Sequence, residues 1–324
     1  MADARLAAAC DALRRCAPDV GVRLAAPLAP LTTFRLGGPA DLLVTVSTEA
    51  QAVAVAACAR AAGLPLVALG GGSNVLVADA GIRGVVVRFH GGDIVQEQEG
   101  VVRASAGVTM NGLVRWLIGR GLAGLEAWAG TPGTVGGAIY GNAHFQGRLI
   151  SESVADVRVL RPDGALVDVP AAEMGFAYDY SRLHATGEIV LSVRFTVSEG
   201  IPERLRETAR ASLAFRKRTQ PLHLASAGCV FQNPSPEEPV PAGVPRSAGA
   251  LVDRAGLKGT HVGGAAVSDV HANFIVAEGA ASAREVRTLI EQCREAVASR
   301  FGVHLRDEIV YLGEWAADAP QEPR

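Results

Sequence analysis

Apolar residues recur with a helical period in two N-terminal stretches, 3–16 and 49–62, each carrying an Ala-rich face and each followed by Gly, Pro and β-branched residues. Strands are expected next, at Leu64 to Leu69, at Val75-Leu76-Val77-Ala78 and around Val85-Val86-Val87. Between 110 and 121 the helical period returns through Leu113, Trp116 and Leu117, and Leu122 extends it. Further strands are expected at 154–160, 165–169 and 189–197. The first two should form a hairpin, because Arg161-Pro162-Asp163-Gly164 places a φ-restricting Pro before an Asp-Gly turn. The β pattern breaks at Glu199-Gly200-Ile201-Pro202, and a charged helix is expected over 203–218. A last helix, 282–300, has Ser282 as N-cap, Glu285 three residues on and Gly302 past its end. Its apolar face, Val286, Leu289, Ile290, Cys293 and Val297, makes Cys293 a packing residue. Pro234 to Pro245 holds five prolines and reads as a surface loop.

Composition narrows the function classes. The 324 residues suggest two or three domains, and 33 Asp+Glu against 31 Lys+Arg with 49% apolar residues leave neither a nucleic-acid footprint nor a solvating tail. No uncharged apolar run reaches the roughly 18 residues of a membrane span. Arg5, Asp11, Arg14 and Arg15 interrupt any signal-peptide core. The cysteines, Cys10, Cys16, Cys58, Cys229 and Cys293, form an odd set without a C-x-x-C pair, which argues against a zinc site and against a disulfide framework. A cytoplasmic location is expected, with no membrane, nucleic-acid or protein partner, and residues 316–324 read as a polar, mobile tail.

Two glycine-rich loops change the picture. Gly70-Gly71-Gly72-Ser73-Asn74 joins two expected strands, and Gly130-Thr131-Pro132-Gly133-Thr134-Val135-Gly136-Gly137-Ala138 follows the 110–121 helix, with Asn142 close behind. Glycines let backbone N–H groups approach an anion, so two such loops suit a pyrophosphate. A Rossmann fingerprint fails, since Val75 occupies the third-glycine position and the chain turns β-like; no Gly-Lys-Ser/Thr follows for a P-loop. The residues alone point to a nucleotide or dinucleotide cofactor in a site of another kind.

At these positions the chain resembles the UDP-N-acetylenolpyruvoylglucosamine reductases (MurB, UDP-N-acetylmuramate dehydrogenases). The resemblance also rests on Thr33-Phe34-Arg35-Leu36-Gly37-Gly38, Ser226-Ala227-Gly228-Cys229-Val230-Phe231-Gln232-Asn233-Pro234, Ala248-Gly249-Ala250-Leu251-Val252-Asp253 and His271-Ala272-Asn273-Phe274-Ile275-Val276. It implies an α+β protein with a two-subdomain FAD-binding region of the vanillyl-alcohol-oxidase (PCMH) type and a C-terminal α/β substrate domain. The expected division is 1–88 and 89–200 for the FAD subdomains, 201–315 for the UDP-sugar domain and 316–324 for the tail. It further implies that NADPH reduces bound FAD and that a small-molecule UDP-sugar, UDP-N-acetylglucosamine enolpyruvate, is reduced to UDP-N-acetylmuramate. No metal is implied.

Hydride can add to an enol ether bearing a carboxylate only if the developing negative charge is stabilised and a proton then arrives. The resemblance assigns the proton donor to Cys229, stabilisation to Glu308 in Leu305-Arg306-Asp307-Glu308-Ile309-Val310, and substrate contacts to Tyr178, Gln232 and Asn233. The cofactor would be held by Gly70, Gly71, Gly72, Ser73, Asn74, Gly130, Thr131, Pro132, Gly133, Thr134, Gly136, Gly137 and Asn142. Around Glu308 the family's usual Pro-Glu-Val reads Asp307-Glu308-Ile309, which leaves Asp307 as the alternative assignment, and the sequence departs from the family at three further places. Asp179 stands where an arginine follows the family's tyrosine, Gln232 where a lysine is common, and His144-Phe145-Gln146 where Gly-Ala-Tyr is usual. Arg182 is the expected replacement cation; the alternatives are another arginine, a slower enzyme, or a different substrate. Arg216-Lys217-Arg218 reads as a solvated face with a phosphate contact as the alternative. A flavin oxidoreductase with another substrate and a flavin- or UDP-sugar-binding relative without turnover stay open as readings.

Overall fold

In the computed structural model, which describes residues 2–315, three sheets of three or more strands carry the chain, beside three two-stranded ones. The first orders Val22–Pro27, Pro39–Val46, Ile82–Phe89 and Leu66–Leu69, antiparallel at its first pair and parallel thereafter. The Ala2–Cys16 and Glu49–Ala61 helices pack against each other and against this sheet. Thr48 caps the second helix reciprocally with Gln51. The second sheet is antiparallel throughout, in the order Leu166–Pro170, Val154–Leu160, Ile189–Thr196, Val101–Ser105 and Ile94–Gln98. Its first pair is the expected hairpin, with Leu160 opposite Leu166. One apolar core joins Leu42, Val44 and Val55 of the first layer to Leu113, Val157, Val193 and Phe195 of the second.

The third sheet, His261–Val262, Ala265–Val267 and Ile275–Ala277, backs onto the Ala283–Phe301 helix. That helix has the expected Ser282–Glu285 capping box and Gly302 at φ 67 beyond its end, and Cys293 is 1% exposed in its core. Parts of the chain far apart in sequence close the molecule. Val310–Leu312 pairs in parallel with Val75–Val77, and Asp79 accepts the N–H groups of Ala283 and Arg284 at 2.9 and 3.0 Å, so a carboxylate of the first layer caps the last helix. Phe34 and Leu76 lie in the C-terminal core, while Ala209 and Phe215 of the Pro202–Thr219 helix pack into the large N-terminal one. By packing, the helix expected to open the third unit therefore lies against the second.

The cysteine reading is corrected here. Cys16 and Cys58, at the ends of the two packed N-terminal helices, form a disulfide across a separation of 42 residues. Helix packing brings the two side chains together, which parity and motif spacing could not reveal. Among the described residues no helix is long and apolar enough to cross a membrane. The expected mobile tail, 316–324, lies outside the described residues.

Candidate active site

The two glycine loops meet face to face. A Cβ on Gly71 would lie 2.6 Å from the Cα of Gly133, and one on Gly133 would lie 2.5 Å from Ser73 Oγ. A larger residue at Gly71 would meet the Gly133 backbone and force the loops apart, and at Gly133 the φ of +94° itself disfavours one. The second loop ends at Thr134, which caps the six-residue Val135–Tyr140 helix by accepting from Gly137. Among the described residues, the N–H groups of Gly71, Gly72 and Ser73 donate no intrachain backbone hydrogen bond, so they remain available to an anion. A cradle without Cβ atoms and with unengaged donors fits the pyrophosphate of a dinucleotide.

Two of the expected cofactor contacts serve the chain itself. Asn74 Nδ2 donates to the carbonyl of Glu308 at 3.0 Å, and the N–H of Val310 donates to Asn74 O. Asn142, 0% exposed, donates from Nδ2 to Ala177 O at 2.8 Å and accepts from Ser151 N at 3.2 Å. Each asparagine therefore ties the cofactor region to a segment bearing a catalytic candidate.

Glu308 is held from both sides, because its own N–H donates to Val230 O at 2.7 Å while Asn74 holds its carbonyl. The neighbouring bridges, Phe231 with Asp307 and Cys229 with Phe274, fix the 229–232 segment beside it. Asn273, 3% exposed, locks that segment: Oδ1 accepts from Phe231 N at 2.9 Å and Nδ2 donates to Phe231 O at 2.7 Å. Burial, and next the charge of Glu308, pushes the Cys229 thiol well above its ordinary range. Cys229 therefore carries its proton through neutral pH. Burial, followed by the charge of Asp179, pushes Glu308 up as well.

Asp179 faces this group from the 177–180 turn, whose ends pair through Ala177 and Tyr180. Its φ of 52° is the left-handed conformation that Asp tolerates better than most side chains. It is 6% exposed, accepts from Gln232 Nε2 at 2.8 Å, and burial raises its pKa from the ordinary 3.8 to about 7, against the opposing hydrogen bond from Gln232. Gln232 and Asp179 thus pair with each other. Tyr178 is pushed up to about 12 by burial and by Glu308, and its hydroxyl accepts from Asn233 Nδ2 at 3.4 Å. His144 completes the cluster, with Nε2 3.9 Å from Glu308 Oε1 and its ring centroid 4.5 Å from that of Tyr178.

Arg182 is not the replacement cation. Its Nε and Nη2 donate to Glu188 at 2.9 and 2.7 Å, and its Nη1 donates to Glu173 O at 3.2 Å. The Glu188 side chain is only 4% exposed, so the arginine is committed to satisfying a buried carboxylate. The cation that does reach the region is Arg216. It is 6% exposed, lies 3.8 Å over the Phe145 ring, and donates from Nη2 to Thr131 at 2.8 Å. Burial lowers its pKa to about 10, and it is close enough to Cys229 and His144 to act on both. Sequence reading placed Arg216 in a solvated run and missed Asn273; Arg216 sits on the buried side of an amphipathic helix, a signal its charge obscured.

With the geometry in place, comparison with known proteins can be added. The family model described as "UDP-N-acetylenolpyruvoylglucosamine reductase, C-terminal domain" matches residues 220–312, and one described as "FAD binding domain" matches 40–170. A UDP-N-acetylenolpyruvoylglucosamine reductase of Anaeromyxobacter sp. (strain Fw109-5) is 41% identical over 295 residues, 90% of this chain and 89% of the relative. One from Moorella thermoacetica is 40% identical over 89% of this chain and 92% of the relative. The crystal structure of the Thermus caldophilus reductase (MurB) superposes with a TM-score of 0.73 at 34% identity, covering 90% of this chain and 98% of that one.

Proposed function

The chain belongs to the UDP-N-acetylenolpyruvoylglucosamine reductase family, and from that premise we propose that it reduces UDP-N-acetylglucosamine enolpyruvate to UDP-N-acetylmuramate in peptidoglycan precursor synthesis, with FAD as its bound cofactor and NADPH as reductant. When bound, FAD supplies the hydride acceptor and donor between the nicotinamide and the enol ether. The chain's own residues hold the cofactor, place the substrate and deliver the proton. Gly71, Gly72, Gly133 and Ser73 provide the cradle for the cofactor phosphates. Tyr178, Gln232 and Asn233 face the substrate from the rim of the cluster.

The single observation that carries this reading is Cys229. A thiol kept protonated by burial and by a neighbouring carboxylate, on a segment locked by Asn273, is an acid positioned to give one proton to a carbanion formed beside it. Glu308 lies against it and stabilises that intermediate together with the buried charge of Arg216. We take residues 220–312 as the substrate unit and place the enzyme in the cytoplasm, where the nucleotide sugar and NADPH are found. The same reading leaves the Cys16–Cys58 bond exposed to a reducing thiol pool.

A second reading, a flavin oxidoreductase acting on a substrate without a carboxylate, is favoured by Asp179, an acid where a carboxylate would approach. One experiment separates the two. The FAD-loaded protein is reduced with NADPH under anaerobic conditions, UDP-N-acetylglucosamine enolpyruvate is added, and the oxidised-flavin absorbance is followed. Rapid reoxidation supports the reductase; a flavin that stays reduced supports the second reading, and a protein that takes up no FAD refutes both.

A further inference from the structure

Three chain segments converge on one small volume. His144 comes from the two-residue strand after the cofactor loop, Asp179 from the 177–180 turn, and Glu308 from the segment leading into the last strand. One ligand-capable atom from each, an imidazole nitrogen and two carboxylate oxygens, lies within 4.8 Å of the other two. We propose that these residues form a binding site for a divalent cation such as Mn2+ or Zn2+, and that the cation supplies the positive charge facing the substrate's carboxylate. This rests on the reductase reading for its role but not for its existence as a site, and it goes beyond the resemblance, which implies no metal.

A buried carboxylate, Asp179, and a half-buried one, Glu308, face each other from separate segments, and among the described residues neither forms an ion pair with an arginine or lysine. Asp179 is 6% exposed, and among the described residues its carboxylate accepts only from the neutral amide of Gln232. The Glu308 side chain is 15% exposed, its carboxylate accepts no hydrogen bond among the described residues, and His144 Nε2 lies 3.9 Å from its Oε1. Burial of unpaired carboxylates is costly, and coordination of a cation is one of the few ways to relieve it. His144 offers the cluster a ring nitrogen, a common ligand of divalent transition metals, 3.9 Å from Glu308 Oε1. A nitrogen with two oxygens suits a borderline divalent ion rather than Mg2+ or Ca2+, which favour all-oxygen shells. Drawing atoms at 3.9 to 4.8 Å onto ligand bonds of about 2.0 to 2.2 Å requires side-chain movement of about an ångström, within the reach of His144 and Glu308.

Two of the three ligands, His144 and Asp179, occupy positions at which the sequence departs from its family, and the third is the glutamate that the family shares. The departures therefore compensate each other in space. A ligand-bound cation has open positions, and one of these would face the carboxylate of the arriving enolpyruvyl group, doing what a guanidinium at position 179 would do.

The test uses the FAD-loaded protein stripped with EDTA and titrated with MnCl2, the free ion being read by electron paramagnetic resonance. The expected result is one Mn2+ per chain, bound at least about 10-fold more weakly by Asp179→Asn and by His144→Ala, as loss of a ligand or its support weakens metal sites. Asp179→Asn retains the acceptor for Gln232, and His144→Ala removes a half-buried ring from a two-residue strand, so the two variants fail to fold for different reasons if at all. Absence of stoichiometric binding, or binding retained by either folded variant, overturns the proposal. Substrate reoxidation of the flavin at full rate in EDTA would overturn the cation's role while leaving the reductase reading intact.

Discussion

Replacing Asp179 by Asn should make the protein more stable, and increasingly so as the pH rises. The folded state raises the Asp179 pKa from 3.8 to about 7, chiefly through burial. A raised carboxyl pKa means that the folded state binds the proton more tightly than the unfolded chain does. Stability is therefore greatest below the unfolded value and falls as the pH climbs from about 4, with the loss complete above about 7. At about 1.4 kcal/mol per pH unit, the gap between 3.8 and about 7 makes ionised Asp179 cost the fold about 4 kcal/mol at pH 8 and about 2 kcal/mol at pH 5. Asn cannot ionise, keeps its shape and still accepts from Gln232. It also removes the charge that helps push Glu308 up, which adds to the effect with the same sign.

The assay is urea unfolding of the FAD-loaded parent and variant at pH 5 and pH 8, in EDTA so that no cation offsets the carboxylates. The advantage of Asp179→Asn should widen by about 2 kcal/mol between the two conditions, carried by the midpoint at an unchanged slope. An advantage of equal size at both pH values would refute the reasoning, since it would place the benefit in packing rather than in charge. Repeated without EDTA and with MnCl2 added, a parent that gains on the variant at pH 8 would show that a cation neutralises Asp179.

Three further outcomes are expected. Cys229→Ala should slow flavin reoxidation by substrate by about 100- to 10,000-fold, the usual worth of a general acid, while leaving reduction by NADPH unchanged and with Cys229→Ser recovering part of the loss; equal damage to both half-reactions in stopped-flow would make the thiol structural instead. Arg182→Ala should leave kcat/KM within about threefold yet lower the unfolding free energy by about 1 to 3 kcal/mol, because the buried Glu188 keeps only Arg161 and Thr186; a loss of substrate reduction at unchanged stability would restore Arg182 to the site. Cys16→Ser should lower stability in denaturant titration by about 4 kcal/mol, the chain-entropy value for a loop of this length, and an unchanged midpoint would show that the bond constrains nothing the helices do not already hold.

The elements that were legible in the sequence are those whose signals are local. The Ser282–Glu285 box, the Gly302 stop and the Pro162-Asp163-Gly164 hairpin each depend on residues within one turn of one another, and each is found where the pattern places it. Leu122 shows the limit of periodicity: it continues the helical spacing, yet the helix ends at Gly119 and Leu122 lies in a short strand paired with Ser198–Glu199. The second glycine segment was read as a loop, whereas from Val135 it is helical, with Thr134 as cap. A capping threonine followed by two glycines carries too weak a propensity for that helix to be read without its packing against Ala106.

The site shows a different limit. Cys229, Glu308, Tyr178, Gln232 and Asn233 come together in one cluster and the two glycine loops meet face to face, because the motifs are contiguous strings whose backbone geometry the fold preserves. What replaces a missing charge is not written in any string, since it depends on which side chains from distant segments share a volume. Arg182 is three residues from Asp179, yet the turn that places Asp179 at φ 52° sends Arg182 back to Glu188. Arg216 is 37 residues away in sequence and reaches the Cys229 region because its helix packs into the large core and stacks its guanidinium on Phe145. His144, Asp179 and Glu308 span more than half of the chain and meet within 4.8 Å. Substitutions that look like separate losses along the sequence are, in the folded protein, one rearranged electrostatic unit. The question that unit poses is whether a proton or a metal ion balances its two carboxylates, and the two cases respond oppositely to EDTA at pH 8: removing a bound cation destabilises the parent, whereas a shared proton leaves it indifferent.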